Sequence, residues 1–144
     1  MTDTTTIDTS TTLRGYLDAL TAGDLDRIAA YFAADATWWI HGSLPLAGTY
    51  DGAESIMTFL STAMGELFVP GTQRFRFGEI VADGETAVLE WNVTGVGAAT
   101  GTPYDNDYCG IFTIRDGRIK AVREYFDSDH VRDVLYSAVS PSTP

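Results

Sequence analysis

The stretch PYDNDYCGIFTIRDGRIKAVREYFD, residues 103–127, decides the fold. Within it, two runs rich in β-branched and aromatic residues, Pro103 to Arg115 and Arg118 to Asp127, flank the pair Asp116-Gly117. An Asp-Gly pair between two such runs is the strongest short-range signal for a β-hairpin, because both residues tolerate the positive φ angles of a tight turn. The stretch therefore predicts two long antiparallel strands.

Two further strands are predicted before this hairpin. The runs Arg74 to Ala82 and Thr86 to Thr94 have a similar composition and are joined by a second Asp-Gly pair, Asp83-Gly84. The glycine-rich segment 95–101 between the hairpins predicts a mobile loop at one end of the sheet. Strands of 9 to 13 residues are longer than the usual length of about 5–6 residues and twist strongly, so we expect the sheet to curve into a cone.

Helical spacing dominates the first half of the chain. From Leu13 onward, apolar residues follow the i, i+3, i+4, i+7 pattern of a helix with one buried face. A second helix is predicted to begin at Asp24, whose carboxylate suits an N-cap. A third helix is predicted between Gly52 and Pro70.

Two shorter elements complete the pattern. A short strand, Ala36 to Ile40, precedes the third helix, and one or two helical turns follow Asp129. Helices followed by a long antiparallel meander predict the α+β class. We therefore expect a cone-shaped, strongly curved, mainly antiparallel β-sheet wrapped around the N-terminal helices, with an apolar pocket at its mouth.

The length of 144 residues suits one domain, which we place at residues 13–138. Residues 1–12, rich in Thr and Asp, predict a disordered N-terminal arm, and residues 139–144 predict a disordered tail. The start of the chain lacks the basic and apolar regions of a signal peptide. No apolar run approaches the roughly 20 residues of a membrane helix.

The charge balance excludes several classes of partner. The chain has 9 basic and 20 acidic residues and a formal net charge of −11, so nucleic acids and anionic membranes are expected to repel it. Its one cysteine, Cys109, has no partner for an internal disulfide, which is typical of a cytoplasmic protein. The sequence also lacks a phosphate-binding glycine motif and a metal-ligand pattern, so we expect no metal or organic cofactor.

Several local strings resemble the nuclear transport factor 2-like superfamily, in particular its SnoaL-like and ketosteroid-isomerase-related branch. The resemblance covers about Leu13 to Leu135. Its carriers are YLDAL at 16–20 with AGD at 22–24, YFAADAT at 31–37, GTYDG at 48–52, FTIRDGRI at 112–119 and REYFD at 123–127. The resemblance implies the cone-shaped fold, which hosts many chemistries.

The ketosteroid isomerases of this fold use a tyrosine on the first helix and a carboxylic acid on a later strand as an oxyanion hole, with an aspartate near the first strand as the base. In this chain Tyr16 falls at the position of the tyrosine. Ile40 stands at the position of the base, and Tyr108 or Cys109 lies near that of the acid. The set needed for steroid isomerisation is therefore incomplete.

Limonene-epoxide hydrolases share the ending Arg-Asp-Tyr-Phe-Asp, which this chain has as REYFD at 123–127. Their catalysis also needs an Arg-x-Asp on the second long strand, where this chain has Trp91-Asn92-Val93. Of that catalytic set, one carboxylate, Glu124, stands at the family's functional position.

The candidate proton carrier is Glu124. Side chains alternate along a strand, so Val122, Glu124 and Phe126 share one face, and the resemblance places that face inside the cone. A carboxylate between apolar neighbours loses hydration, which raises its pKa and suits it to proton transfer near neutral pH. The alternative is a position at the rim, where Glu124 pairs with Arg118 or Arg123.

Candidate hydrogen-bond donors lie on the preceding strand. Tyr104, Asn106, Tyr108 and Gly110 share one face, and the resemblance assigns this face to the pocket. A phenol and an amide there would donate to a carbonyl or alkoxide oxygen. The alternative is a core tyrosine whose hydroxyl binds a backbone carbonyl.

The string Trp38-Trp39-Ile40-His41 is the most unusual in the chain. Alternation places one of the two tryptophans in the pocket and does not say which. His41 suits acid–base chemistry because its unperturbed pKa is about 6.5, although a lone histidine is also compatible with a structural role. Tyr16 is either a ligand of the substrate oxygen or a core residue.

The function predicted from these residues is a cofactor-independent acid–base enzyme of the isomerase, dehydratase or cyclase type, acting on a hydrophobic oxygenated molecule such as a steroid, terpenoid or polyketide. The alternatives are an epoxide hydrolase of the limonene-epoxide type and a non-catalytic binding or assembly domain. The predicted catalytic residues are Glu124, His41 and Tyr108, and the predicted substrate-binding residues are Tyr16, Trp38, Trp39, Asn106, Val122 and Phe126.

A homodimer is also expected. The outer face of a sheet with helices on its inner side needs a cover if it is apolar. According to register, the residues predicted on that face are Phe75, Phe77, Trp91 and Tyr125.

Overall fold

The structure is a computed structural model that describes residues 3–136. In chain order, its helices and strands are α1 (Thr4–Ala22), α2 (Leu25–Ala30), β1 (Phe32–Ile40), β2 (Gly48–Asp51), α3 (Ala53–Gly65), β3 (Arg74–Phe77), β4 (Val81–Asp83), β5 (Thr86–Val96), β6 (Pro103–Arg115), β7 (Arg118–Phe126), α4 (Ser128–Val131) and a π-helical turn (Arg132–Tyr136).

The strands form one mixed, curved sheet in the order β2-β1-β7-β6-β5-β3, with β4 also paired to β5. Strands β1 and β7 are parallel, and every other pairing in the described part of the chain is antiparallel. The predicted α+β class and curved, mainly antiparallel sheet are confirmed. The parallel pairing joins the first strand to the last and aligns Trp38 with Val122 and Ile40 with Glu124.

Both predicted hairpins form. Between β6 and β7 the turn residues Asp116 and Gly117 have φ angles of 53° and 73°, as a type I′ turn requires. The strand predicted from Arg74 to Ala82 is instead split into β3 and β4. The break occurs at Gly78, whose backbone N–H donates to the Glu90 carbonyl at 2.8 Å.

The loop predicted at 95–101 is shorter in the structure, because β5 continues to Val96 and Gly97 bridges to Phe68. Two other bounds also differ from the prediction. Strand β1 begins at Phe32 rather than Ala36, and β2, which was not predicted, pairs with the second half of β1.

The first helix begins at Thr4, so the prediction of a disordered arm at residues 1–12 is wrong for residues 4–12. Asp3 caps the helix by accepting a hydrogen bond from the Thr6 N–H at 2.7 Å. The buried Thr9 hydroxyl donates to the Gly84 carbonyl at 2.6 Å, and the Gly84 N–H donates to the Thr6 hydroxyl at 2.7 Å. These contacts with the β4–β5 turn hold a threonine-rich segment helical. The tail predicted at 139–144 lies outside the described residues.

Helices α1 and α3 cover the concave face of the sheet. The predicted apolar face of α1 is buried, with Leu13 and Leu17 at most 2% exposed. Asp24 caps α2 as predicted, by accepting from the Arg27 N–H at 3.2 Å. Within residues 3–136, none of the helices is both long enough and apolar enough to cross a membrane.

The strand register shows that the prediction of which residues lie on the outer face is wrong in part. Phe75, Phe77 and Trp91 point inward, where they line a cavity, and Tyr125 points outward between the inward-facing Glu124 and Phe126. Tyr125 packs there against the ring of Trp39, with 5.4 Å between ring centroids.

Candidate active site

A cavity of about 90 Å³ lies between the concave face of the sheet and helices α1 and α3. Aromatic rings form much of its wall, contributed by β1, β3, β5, β6, β7 and α3. Glu124 is the one charged side chain among the described residues that line it. The other polar groups in the wall are the hydroxyls of Tyr16 and Tyr108, the indole N–H groups of Trp38 and Trp91, and the amide of Gln73.

Glu124 lies near the C-terminal end of β7 and is 6% exposed. Its Oε1 accepts a hydrogen bond from Trp38 Nε1 at 3.1 Å. This contact depends on the parallel pairing of β1 with β7, which places the two side chains on the same face. Burial raises the pKa of Glu124 to about 7.

The alternative in which Glu124 pairs with an arginine at the rim is wrong. No Lys, Arg or His side chain of residues 3–136 forms an ion pair with it. Arg123 extends from the opposite face of β7, where its guanidinium lies 4.2 Å from the centroid of the Trp39 ring and donates to the Tyr125 hydroxyl at 3.0 Å. Alternation along the strand separates the two neighbours.

Gly110 lies directly across from Glu124 on β6. A Cβ atom at this position would lie 2.8 Å from the ring of Phe112 and 2.9 Å from the ring of Trp91. Because residue 110 has no side chain, these two rings pack over it next to the carboxyl group. The absence of a side chain here is thus part of the shape of the cavity wall.

The two tyrosine hydroxyls approach the cavity from different elements. Tyr16, on α1, is 2% exposed, and its hydroxyl makes no hydrogen bond with the residues that the structure describes. Tyr108, on β6, stacks on Trp91 with 5.4 Å between ring centroids and hydrogen-bonds to the hydroxyl of Tyr104. Burial raises the pKa of both phenols well above the usual value, and the negative charge of Glu124 adds to this effect. Both are therefore protonated hydrogen-bond donors near neutral pH.

The other predicted site residues divide between the cavity and its surroundings. Trp38 and Phe126 line the cavity, which settles which tryptophan faces inward. Val122 is buried on the same face of β7 but lies outside the cavity wall. Asn106 is also buried behind the wall, where its Nδ2 donates to the Tyr104 hydroxyl at 2.9 Å and to the Asp127 carbonyl at 3.0 Å.

The placement of Trp39 and His41 in the pocket is wrong. Because Trp38 and Ile40 face inward, alternation turns Trp39 and His41 to the outer face of β1. The His41 Nε2 lies 2.9 Å from the Phe126 carbonyl oxygen and 3.2 Å from the Phe126 nitrogen. This histidine therefore connects the ends of β1 and β7 and does not reach the cavity.

Sequence reasoning did not place Trp91 or Gln73 in the site. Trp91 packs over Gly110 in the wall near Glu124, and Gln73 lines the cavity just before β3. The alternation of Leu89, Trp91 and Val93 with polar residues was a readable signal that Trp91 faces inward. No local signal marks Gln73.

Comparison with known families identifies the fold. Residues 13–122 match the family described as the SnoaL-like domain. The chain belongs to the SnoaL-like family. The resemblance predicted from the sequence is thereby confirmed. The matched residues end two positions before Glu124, so the match does not itself assign a role to this residue.

Solved structures share the SnoaL-like architecture over nearly the whole chain. An NTF2-like protein from Burkholderia xenovorans has 24% identity and a TM-score of 0.75, covering 92% of this chain and 99% of that one. An LEH-like epoxide hydrolase from M. tuberculosis has 23% identity and a TM-score of 0.70, covering 90% of each chain. A candidate SnoaL-like polyketide cyclase from Jannaschia sp. has 17% identity and a TM-score of 0.79, covering 98% of this chain and 99% of that one. At these identities the likeness shows a shared fold.

Proposed function

We propose that this SnoaL-like protein is a cofactor-independent acid–base enzyme that moves a proton on a neutral, hydrophobic, oxygenated small molecule. The observation that carries the proposal is Glu124, a carboxyl group buried in an aromatic cavity without a cationic partner among the described residues. With a pKa of about 7, it exchanges a proton readily at neutral pH.

The proposed reaction starts next to a carbonyl group. The Glu124 carboxylate takes a proton from the carbon beside the carbonyl, and the C–H electron pair moves to form an enolate. A phenol O–H from Tyr108 or Tyr16 donates to the enolate oxygen. Glu124 then returns the proton to the same carbon or to another one. An isomerase, a dehydratase and a cyclase share this first step.

The wall of the cavity limits the substrate class. The described lining residues include no Lys, Arg or His, so an anionic substrate would meet Glu124 without compensation. Aromatic rings favour a planar or cyclic compound. A volume of about 90 Å³ is smaller than the ~150 Å³ of an engineered cavity that holds benzene. A terpenoid, a polyketide or a one-ring ketone would therefore place only its reacting end beside Glu124, with the remainder at the mouth.

The test uses cyclohexanone, a neutral one-ring ketone, and follows exchange of its α-hydrogens for deuterium in D₂O by NMR. Replacing Glu124 with Gln keeps the size and the hydrogen bond from Trp38 but removes proton transfer. The rate should fall by roughly 10²–10⁴-fold. The matched control is Glu90→Gln, which alters an exposed carboxyl on the outer face of β5 and should leave the rate unchanged.

Intact exchange in Glu124→Gln would contradict this assignment and end the mechanism. A protein that binds the ketone but accelerates exchange in no form would instead favour the non-catalytic binding domain.

Epoxide hydrolysis is the second candidate, since a buried carboxylate can also activate water. The strand that supplies Arg-x-Asp in limonene-epoxide hydrolases presents Trp91 and Val93 to the cavity here. Asn92 points away and donates to the exposed Asp105 at 2.7 Å. In this arrangement a phenol would have to protonate the epoxide oxygen, and a phenol is a much weaker acid than a carboxyl group. Hydrolysis of styrene oxide above the background rate, lost in Glu124→Gln, would support this candidate over the first.

A further inference from the structure

A chain of buried hydrogen bonds lies behind Tyr108. It starts at the Asp127 carbonyl oxygen, which accepts from Asn106 Nδ2 at 3.0 Å. The same Nδ2 donates to the Tyr104 hydroxyl at 2.9 Å, and the Tyr104 hydroxyl in turn bonds to that of Tyr108. Asn106 is 4% exposed and Tyr104 is 1% exposed, so water does not satisfy these groups.

The direction of each bond in this chain follows from donor chemistry. A backbone carbonyl only accepts, so the Asn106 atom facing Asp127 is the amide nitrogen. Both of its hydrogens are then used, one of them toward the Tyr104 oxygen. Leaving the proton of a buried hydroxyl undonated is costly. Within residues 3–136 the one other partner of the Tyr104 hydroxyl is Tyr108, so Tyr104 donates to Tyr108.

We propose that Asn106 and Tyr104 are positioning residues that direct the O–H of Tyr108 into the cavity, where it donates to an acceptor oxygen of the substrate. The ring of Tyr108 is held between Trp91 and Phe126, with centroid distances of 5.4 and 5.2 Å. The oxygen therefore keeps its place while its proton is oriented from behind. This inference rests on the proposed function in taking the cavity as the substrate site.

The orientation has a consequence for ligand choice. A Tyr108 hydroxyl that already accepts from Tyr104 is a stronger donor, because hydrogen bonds in a chain polarise one another. The cavity should therefore prefer a ketone to a hydrocarbon of the same shape. Cyclohexanone and methylenecyclohexane form such a pair, since they differ in having an oxygen or a CH₂ group at the same position.

The experiment measures the affinity of both compounds by the fluorescence of Trp38 and Trp91, which line the cavity. Wild type should prefer the ketone by about 2- to 10-fold, the contribution of one hydrogen bond. Tyr108→Phe should lower the preference to about 1. Tyr104→Phe and Asn106→Leu should each lower it part of the way, with the hydrocarbon affinity unchanged. The control is Tyr125→Phe, which removes a hydroxyl from the outer face and should change neither affinity.

The sign of the Tyr104→Phe effect is decisive. If Tyr108 donated to Tyr104 in the wild type, removing that acceptor would free its proton, and the ketone preference would rise. The proposal would be overturned if the ketone preference of Tyr104→Phe rose or did not change, or if this variant lost affinity for both compounds equally. A wild type that does not prefer the ketone would also overturn it. If Tyr104→Phe does not fold, Asn106→Leu decides instead: a lower ketone preference supports the proposal, and an unchanged preference overturns it. The proposed function can fail while this inference stands. In that case Glu124→Gln would retain deuterium exchange, and the wild-type preference for the ketone would remain.

Discussion

A carboxyl group surrounded by aromatic side chains is costly to ionise, and Glu124 is in this position. Its charge is compensated by one hydrogen bond, from Trp38, and it forms no ion pair with a cation of the described residues. The protonated form is therefore favoured in the folded state. Such a residue lowers the stability of the protein at neutral pH, which is typical of a group retained for chemistry.

The first prediction is a pH-dependent stability difference between wild type and Glu124→Gln. The Glu124 pKa rises from 4.5 in a model compound to about 7 in the fold, so between these values the folded state binds more protons than the unfolded state. Through this window, ionisation of Glu124 should lower the free energy of unfolding of wild type by about 3 kcal/mol in total, with no further loss at higher pH.

The Gln variant lacks this titration, and all other carboxyls are common to both proteins. The free-energy difference in favour of Glu124→Gln should therefore grow from pH 4.5 to 7. Urea denaturation at a series of pH values measures it. A difference that stays constant over this range would contradict a raised pKa.

The second prediction concerns Gly110. An alanine Cβ would approach the rings of Phe112 and Trp91 to below 3 Å, which forces one of them to move. Gly110→Ala should destabilise the fold by about 1–3 kcal/mol and weaken cyclohexanone binding. Denaturant midpoints provide the measurement. Gly65→Ala is a suitable control, since no atom lies within 4 Å of its added methyl group, and it should be neutral or slightly stabilising.

At the scale of elements, the N-terminal half of α1 depends on the β4–β5 turn. Threonine has modest helix propensity, so a segment with six threonines among residues 4–12 has little tendency to form a helix alone. Side-chain bonds of Thr6 and Thr9 to Gly84 supply the missing stabilisation. Tertiary contact thus overrides a local preference for a loose arm.

The third prediction follows from these bonds. Thr9→Val keeps the shape of a buried side chain but leaves the Gly84 carbonyl without its donor, which should cost about 0.5–1.5 kcal/mol. Thr5→Val, on the exposed side of the same helix, should change stability by less than about 0.5 kcal/mol. Equal stability of the two variants would show that the helix start does not depend on the turn.

At the scale of the whole molecule, we predict a homodimer formed through the outer face of the sheet. This face carries the rings of Trp39 and Tyr125 together with charges of both signs, among them Arg123 and Glu90. A two-fold arrangement would bury the rings and pair opposite charges. Light scattering should give twice the chain mass of 15.6 kDa, and Tyr125→Glu should shift it toward the monomer. A wild type of 15.6 kDa at micromolar concentration would refute the dimer.

The sequence by itself determined the features that depend on neighbours along the chain. The Asp116-Gly117 turn, the cap at Asp24 and the strand alternation that groups Val122, Glu124 and Phe126 are local, because a few consecutive residues determine them. The α+β class and the family resemblance followed from the order of these elements. The alternation of side chains along each strand also predicted which residues share a face.

Only the tertiary structure decided which face is the inner one and what lies across from it. The parallel pairing of β1 with β7 joins segments more than 80 residues apart, and it places Trp38 beside Glu124 while turning His41 outward. The orientation proposed for Tyr108 likewise depends on Asp127, which directly follows β7. Pairing between distant segments depends on the burial of the whole apolar surface, and a local pattern of residues does not contain that information.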